Sequence, residues 1–299
     1  VAKVRIRLGE ARKFEKQMGI LAKNYLTEMI ARAIVLVESH KGHGNFVEAL
    51  EFPTYDQVQR RWSRVKNKLN VKRVERWTPT NAPNFENYSQ RLVDRESEKK
   101  FIEDVFGVKY AAYRSAAAGA AYDLGRELWT NDATIQAIRQ KTYKIITTEI
   151  TPNLRDDLIA KIEASINSGM SIEETAHDLG MLNTNWRTVA KTETFDALNT
   201  GAWDQIHQEA EETGAEILKY WQHSGNSRDP RDAHVQAGEQ YGPDNAIPVD
   251  EPFMVDGEAM QYPHDSNGSA KNVVNCGCTC VYITKDARGN ERETADNPG

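Results

Sequence analysis

Between Gly9 and about Ser39, apolar residues recur at spacings of three and four, at Phe14, Met18, Leu21, Tyr25 and Met29. That spacing places them on one face of an α-helix, longer than most globular helices. Lys41-Gly-His-Gly-Asn45 breaks it. Val58, Trp62, Val65 and Leu69 mark the stripe of a second helix, and residues 78–93, with Pro79 and Pro83, read as a linker. A further helical run starts near Glu96 and is rich in alanine from Tyr110 to Ala121, which permits close helix–helix approach. Thr151-Pro152 reads as an N-cap followed by proline at the first helical position. Ser171 and Glu174 fit a capping box. Another helix covers about Trp186 to Glu212, and its face of Ala190, Glu193, Ala197 and Gly201 is small except for Glu193.

After Gly214 the pattern shortens. Ile217 to Trp221 reads as a strand and Asn226 to Pro230 as a loop. Asp256-Gly257 between the apolar runs Phe253–Val255 and Glu258–Met260 predicts a hairpin. Val273 to Ile283 predicts a last strand, and the tail from Thr284 is polar and expected to be mobile. The expected fold class is α+β: a long, mostly helical N-terminal two thirds followed by a small C-terminal α+β module with a short antiparallel sheet. The expected divisions are a basic helical arm over 1–80, a helical domain over 81–185, the C-terminal module over 186–285 and a polar tail over 286–299.

Composition narrows the class. Of the 299 residues, 39% are hydrophobic and 27% charged, more polar than an average globular domain but not disordered in composition. The longest apolar stretch, Ala31 to Val37, contains Arg32, and nothing approaches the ~20 apolar residues of a membrane helix. The three cysteines, Cys276, Cys278 and Cys280, fall within five residues, which is no disulfide framework and points to a reduced, cytosolic origin. The net charge of -6 hides an asymmetry: residues 1–80 hold 17 Lys+Arg against 8 Asp+Glu. The basic excess concentrates at Arg60, Arg61, Arg64, Lys66, Lys68, Lys72, Arg73 and Arg76. Such a stripe is either a solvated helix face or a docking face for nucleic acid or an acidic protein surface.

The chemistry-bearing residues cluster near the C-terminus. On an extended strand Cys276, Cys278 and Cys280 share one face with Tyr282. They form either a small apolar core face or, with His234 and His264, part of a zinc site held by Cys276 and Cys278. Gly277 would ease a bulge that brings the two sulfurs together. His234, beside Asp229, Asp232 and arginines, suits either proton transfer in a nuclease or a loop braced by Arg–Asp pairs. Glu193 reads as a buried acceptor for a loop arginine such as Arg231, or as an inward catalytic glutamate. There is no G-x-x-x-x-G-K-[ST], H-E-x-x-H or G-x-S-x-G motif.

Read in order, Lys191-Thr-Glu193, a Trp221-ending strand, Asp229, Arg231, Asp232 and His234, Tyr262, Pro263 and Asp265, and Asn275, Cys276 and Cys278 resemble the C-terminal pattern of the phage Mu protein F-like head morphogenesis, or minor head, proteins. The match covers about residues 186–283, with Lys191 for Arg, His264 for Gly and Gly277 for Arg as departures. The resemblance implies a non-catalytic virion structural protein, assembled in the host cytoplasm and lying inside the capsid near the portal. Its implied partners are the portal protein, the major capsid or scaffold protein and phage DNA, with no membrane and no cofactor beyond the zinc considered above. Head assembly is the implied role, with DNA packaging or ejection as extensions of it. The alternative is an enzyme whose C-terminal module cleaves nucleic acid or transfers a group, delivered by a helical stalk.

Overall fold

In the computed structural model the described residues are 2–39, 90–168, 170, 172–180, 186–223, 225 and 230–284. The basic stripe from Arg60 to Arg76, Asp229, Ser171 and the polar tail lie outside them. The fold is α+β, with long helices through the N-terminal two thirds and a small antiparallel sheet built mainly from C-terminal residues. The chain divides into two compact units, each assembled from separated segments: residues 1–20, 105–140 and 185–299 in one, 21–104 and 141–184 in the other. The first twenty residues, grouped by charge with the basic arm, thus belong to the same unit as the C-terminal residues.

The first unit opens with strand β1 (Ala2–Arg5) and the start of helix α1 (Leu8–Glu38). It continues with most of α2 (Arg95–Leu124) and α3 (Asp132–Ile145). The second unit contains the remainder of α1 and two further helices, α4 (Thr151–Asn167) and α5 (Ile172–Gly180). There Tyr25 of α1 stacks on Phe101 of α2 with ring centroids 4.3 Å apart. Thr151 begins α4 with Pro152 in its first turn, but it is not an N-cap: the preceding Ile150 takes that position in helical conformation. A π-helical turn, Ile146–Ile150, joins α3 directly to α4, and the Thr151 N–H reaches back to the Ile146 carbonyl. Proline lacks an N–H and crowds the carbonyl four residues back; the wider turn absorbs that misfit and the helix runs on. Thr151 is therefore free to pair its hydroxyl with that of Tyr25 at 3.1 Å.

The rest of the first unit is α6 (Trp186–Thr213), β2 (Ile217–Gln222), α7 (Asp232–Gln240), β3 (Ile247–Pro248), the hairpin β4 (Phe253–Val255) and β5 (Glu258–Met260), α8 (Ala270–Val273) and β6 (Thr279–Thr284). The sheet order is β1-β6-β2-β3, all antiparallel, and the hairpin forms a second two-stranded sheet. Asp256 and Gly257 both have positive φ, 52° and 80°, as a two-residue hairpin turn requires. The last strand is shorter than its pattern predicts: it starts at Thr279, because α8 and the left-handed Asn275 (φ 57°) occupy the preceding residues. Asp232, Ala233 and His234 likewise form the first turn of α7 and not the end of a loop.

The small face of α6 serves the close approach it suggests. A Cβ on Gly201 would lie 2.1 Å from the carbonyl oxygen of Tyr113 on α2, so at this crossing backbone meets backbone. One turn before Tyr113, Lys109 of α2 is fully buried and donates to Glu193 at 2.5 Å and to Asp196 at 3.1 Å. Those carboxylates hold its ammonium protonated against the burial that opposes it. Glu193 thus takes its cation from the neighbouring helix and not from Arg231.

Candidate metal centre

The residues of the sequence cluster meet where the chain turns from α8 into β6. Lys191 of α6 donates to the Asn275 carbonyl at 3.1 Å, and the Thr192 hydroxyl accepts from the Asn275 N–H at 2.8 Å. Arg231, at the start of α7, donates to the Val274 carbonyl at 2.5 Å. Two elements therefore grip two consecutive residues of the same bend. Pro263 and Asp265 build the neighbouring turn: the buried Asp265 carboxylate accepts from the N–H groups of Gln261 at 2.6 Å and Asn267 at 3.0 Å. That turn holds His264 at φ 72° with its Nε2 3.1 Å from the Cys276 carbonyl oxygen. Asp232 is exposed at the head of α7.

Cys276 and Cys278 precede the strand, so the alternation that would hold their sulfurs apart does not apply. Their Sγ atoms and His234 all lie within 4.8 Å of one another, and all three residues are buried. His234 Nδ1 is 3.4 Å from the Cys276 sulfur and 3.7 Å from the Cys278 sulfur. Gly277 takes no left-handed φ in bringing this about. The neighbouring Cys278 thiol, then His234 and His264, hold the Cys276 thiol far below its usual range, against burial. Cys280, one step further and on the strand itself, belongs elsewhere. Burial pushes its thiol up to about 12, and its N–H donates to Asn199 of α6.

Two imidazole nitrogens in this knot, His234 Nε2 and His264 Nδ1, are buried with no hydrogen-bond partner. Their rings are packed against aromatics, His234 edge-on to Trp221 at 5.6 Å and His264 stacked on Phe195 at 6.0 Å. The nitrogen that faces the two sulfurs is His234 Nδ1, and paired thiols beside an imidazole are the donor chemistry of a thiophilic divalent ion. The buried His234–Cys276–Cys278 group could hold a metal.

Two further members of this unit carry no motif of their own in the sequence. Thr192 was only the centre of a three-residue motif, yet it carries a backbone clamp. Lys219, in the middle of β2, is fully buried, donates to the carbonyl and side-chain oxygens of Gln261 at 2.8 Å each, and lies over the rings of Trp203 and Phe253. A lysine inside an apolar strand was the signal for it. Burial pushes this ammonium down to about 8, only partly opposed by Cys280, Asp250 and Asp265. Between that value and its ordinary one the unfolded chain binds more protons than the folded chain, so stability contributed here rises with pH, by up to ~1.4 kcal/mol per pH unit. Urea unfolding at pH 8 and pH 10 should show this rise in the wild type and a smaller one in Lys219→Met; identical slopes would contradict the assignment.

Comparison of the chain with protein-family models, curated proteins and solved structures finds no match. The family resemblance rests on the ordered residues alone. No helix among the described residues is long and apolar enough to cross a membrane.

Proposed function

We propose that this chain is a phage minor head protein of the Mu protein F-like kind, a virion structural protein that binds the portal protein, lies inside the capsid near the portal and assists head assembly. One observation supports the reading above others. Residues of the ordered motif, separated by up to 87 positions in the chain, converge on the 274–278 bend and are occupied there with backbone groups and with each other. Lys191 and Arg231 grip carbonyls, and Glu193 is engaged by Lys109. That is the use of polar residues expected of a braced interaction module. The major capsid or scaffold protein and phage DNA are further partners on this reading, and packaging or ejection further roles.

Zinc is the ion we assign to the knot, held by His234, Cys276 and Cys278 with His264 completing four donors. The structure leaves His264 beside that group and not in it, its Nε2 on the Cys276 carbonyl and its Nδ1 buried without a partner, so it completes the four donors only by a shift of its ring. A bound zinc ion supplies structural cross-linking of α7, the 261–265 turn and the entry to β6. Protein purified without added metal should carry one zinc per chain, and Cys276→Ser or His234→Ala should carry less than a tenth of that by elemental mass spectrometry.

The functional reading is tested by affinity capture of the tagged chain from cells co-expressing the head proteins, at 0.1 and 0.5 M salt. Recovery of a ring-forming portal protein at both concentrations is the expected result. Recovery of nucleic acid alone, lost at the higher salt, would overturn portal binding and move the weight to the nucleic-acid-processing alternative.

A further inference from the structure

The donors of the knot stop one short of a tetrahedron. His234 Nδ1 and the sulfurs of Cys276 and Cys278 lie within 4.8 Å of one another, in residues at most 3% exposed. No other histidine, cysteine or carboxylate joins them among the described residues. His264 has its Nε2 on the Cys276 carbonyl and its ring stacked on Phe195. Cys280 lies on β6, with its N–H on Asn199. Burial shields the three donors from the water that fills the open position of a catalytic zinc ion.

Metal ions differ in what they make of three donors. Zinc takes four in its structural sites, so it has to draw the His264 ring off the carbonyl. Monovalent copper is matched to thiolates by its softness, and its filled d shell is satisfied by three donors in a plane. The surroundings suit the charge as well. Two thiolates and a monovalent ion leave one negative charge in the knot, which is costly to bury unless donors face it. The Cys278 N–H donates to the Cys276 sulfur at 3.3 Å. Lys191 and Arg231 are anchored on the carbonyls of the two residues before Cys276.

We propose that the knot also accepts monovalent copper, as a three-coordinate ion held by Cys276, Cys278 and His234, with His264 outside the coordination shell. Copper meets the donors as they stand, and zinc requires the shift of His264, so the two ions differ at one residue. This inference rests on the reading of the knot as a metal centre and not on the head-assembly role.

The test titrates the reduced, metal-free full chain under exclusion of oxygen, with cuprous ion against bicinchoninate and separately with zinc ion against a chromophoric chelator. One copper per chain is expected, with the X-ray absorption of a cuprous ion bound by two sulfurs and one nitrogen. His264→Gly should weaken zinc about tenfold or more and leave copper within about threefold. Glycine suits the φ of 72° at that position, so the turn is kept. Cys278→Ser should lose both ions. Copper bound by four donors, or weakened by His264→Gly as much as zinc is, would overturn the proposal. Zinc binding without copper binding would overturn it and leave the clasp standing, whereas failure of both ions would remove the metal centre itself.

Discussion

Replacing Lys109 by methionine should destabilise the protein by about 3–5 kcal/mol, the cost of removing one partner from a buried ionic group. Lys109 is completely buried and is the cation shared by Glu193 and Asp196, both themselves buried. Methionine fills the volume but leaves two carboxylates without it. The loss has a pH signature. Without the lysine, the folded-state pKa of at least one of these carboxyls rises above its unfolded value. The folded protein then binds more protons than the unfolded one, and the deficit shrinks as the pH falls toward 4.5. Adding Glu193→Gln to Lys109→Met should recover part of the stability by removing one stranded charge. Urea unfolding of the three proteins at pH 7 and pH 5 checks this; a loss under 1 kcal/mol, or one independent of pH, would contradict the buried triad.

Gly201→Ala should cost about 3 kcal/mol, at the upper end of overpacking penalties, although alanine is the better helix former by ~1 kcal/mol. The added methyl would sit 2.1 Å from the Tyr113 carbonyl oxygen and 2.9 Å from its carbonyl carbon, and these are backbone atoms that no rotamer change can move aside. Gly119→Ala on the facing helix is the control, since its methyl meets nothing within 4 Å and should stabilise by ~0.5–1 kcal/mol. Opposite signs in thermal unfolding are the expected outcome. Equal effects would mean that α2 and α6 cross less closely than described.

What could be read from the chain was local. The spacing from Phe14 to Met29, the run from Trp186 and the Asp256-Gly257 turn each carry their instruction within a few residues, and each element stands where its pattern puts it. Thr151-Pro152 marks the start of α4 but not a capped one, because a π-helical turn runs into it from α3. At β1, Lys3, Val4, Arg5, Ile6 and Arg7 alternate with period two, but so short a run becomes a strand only by pairing with β6, nearly 280 residues away. Lys109 had no local signal at all, since its partners lie 84 and 87 residues on. At the site, residue types pointed to His234, His264, Cys276 and Cys278 together. Their geometry depended on where β6 begins, and a single left-handed Asn275 sets that.

The proposed role of the C-terminal knot as a structural clasp is open to X-ray absorption at the zinc edge. Structural zinc is closed by four protein ligands, whereas catalytic zinc keeps one position for water. The spectrum should show two sulfurs at ~2.3 Å and two nitrogens at ~2.0 Å, supplied by Cys276, Cys278, His234 and His264. Absence of zinc, or a shell in which an oxygen replaces one nitrogen, would contradict the clasp and reopen the module as a catalytic site.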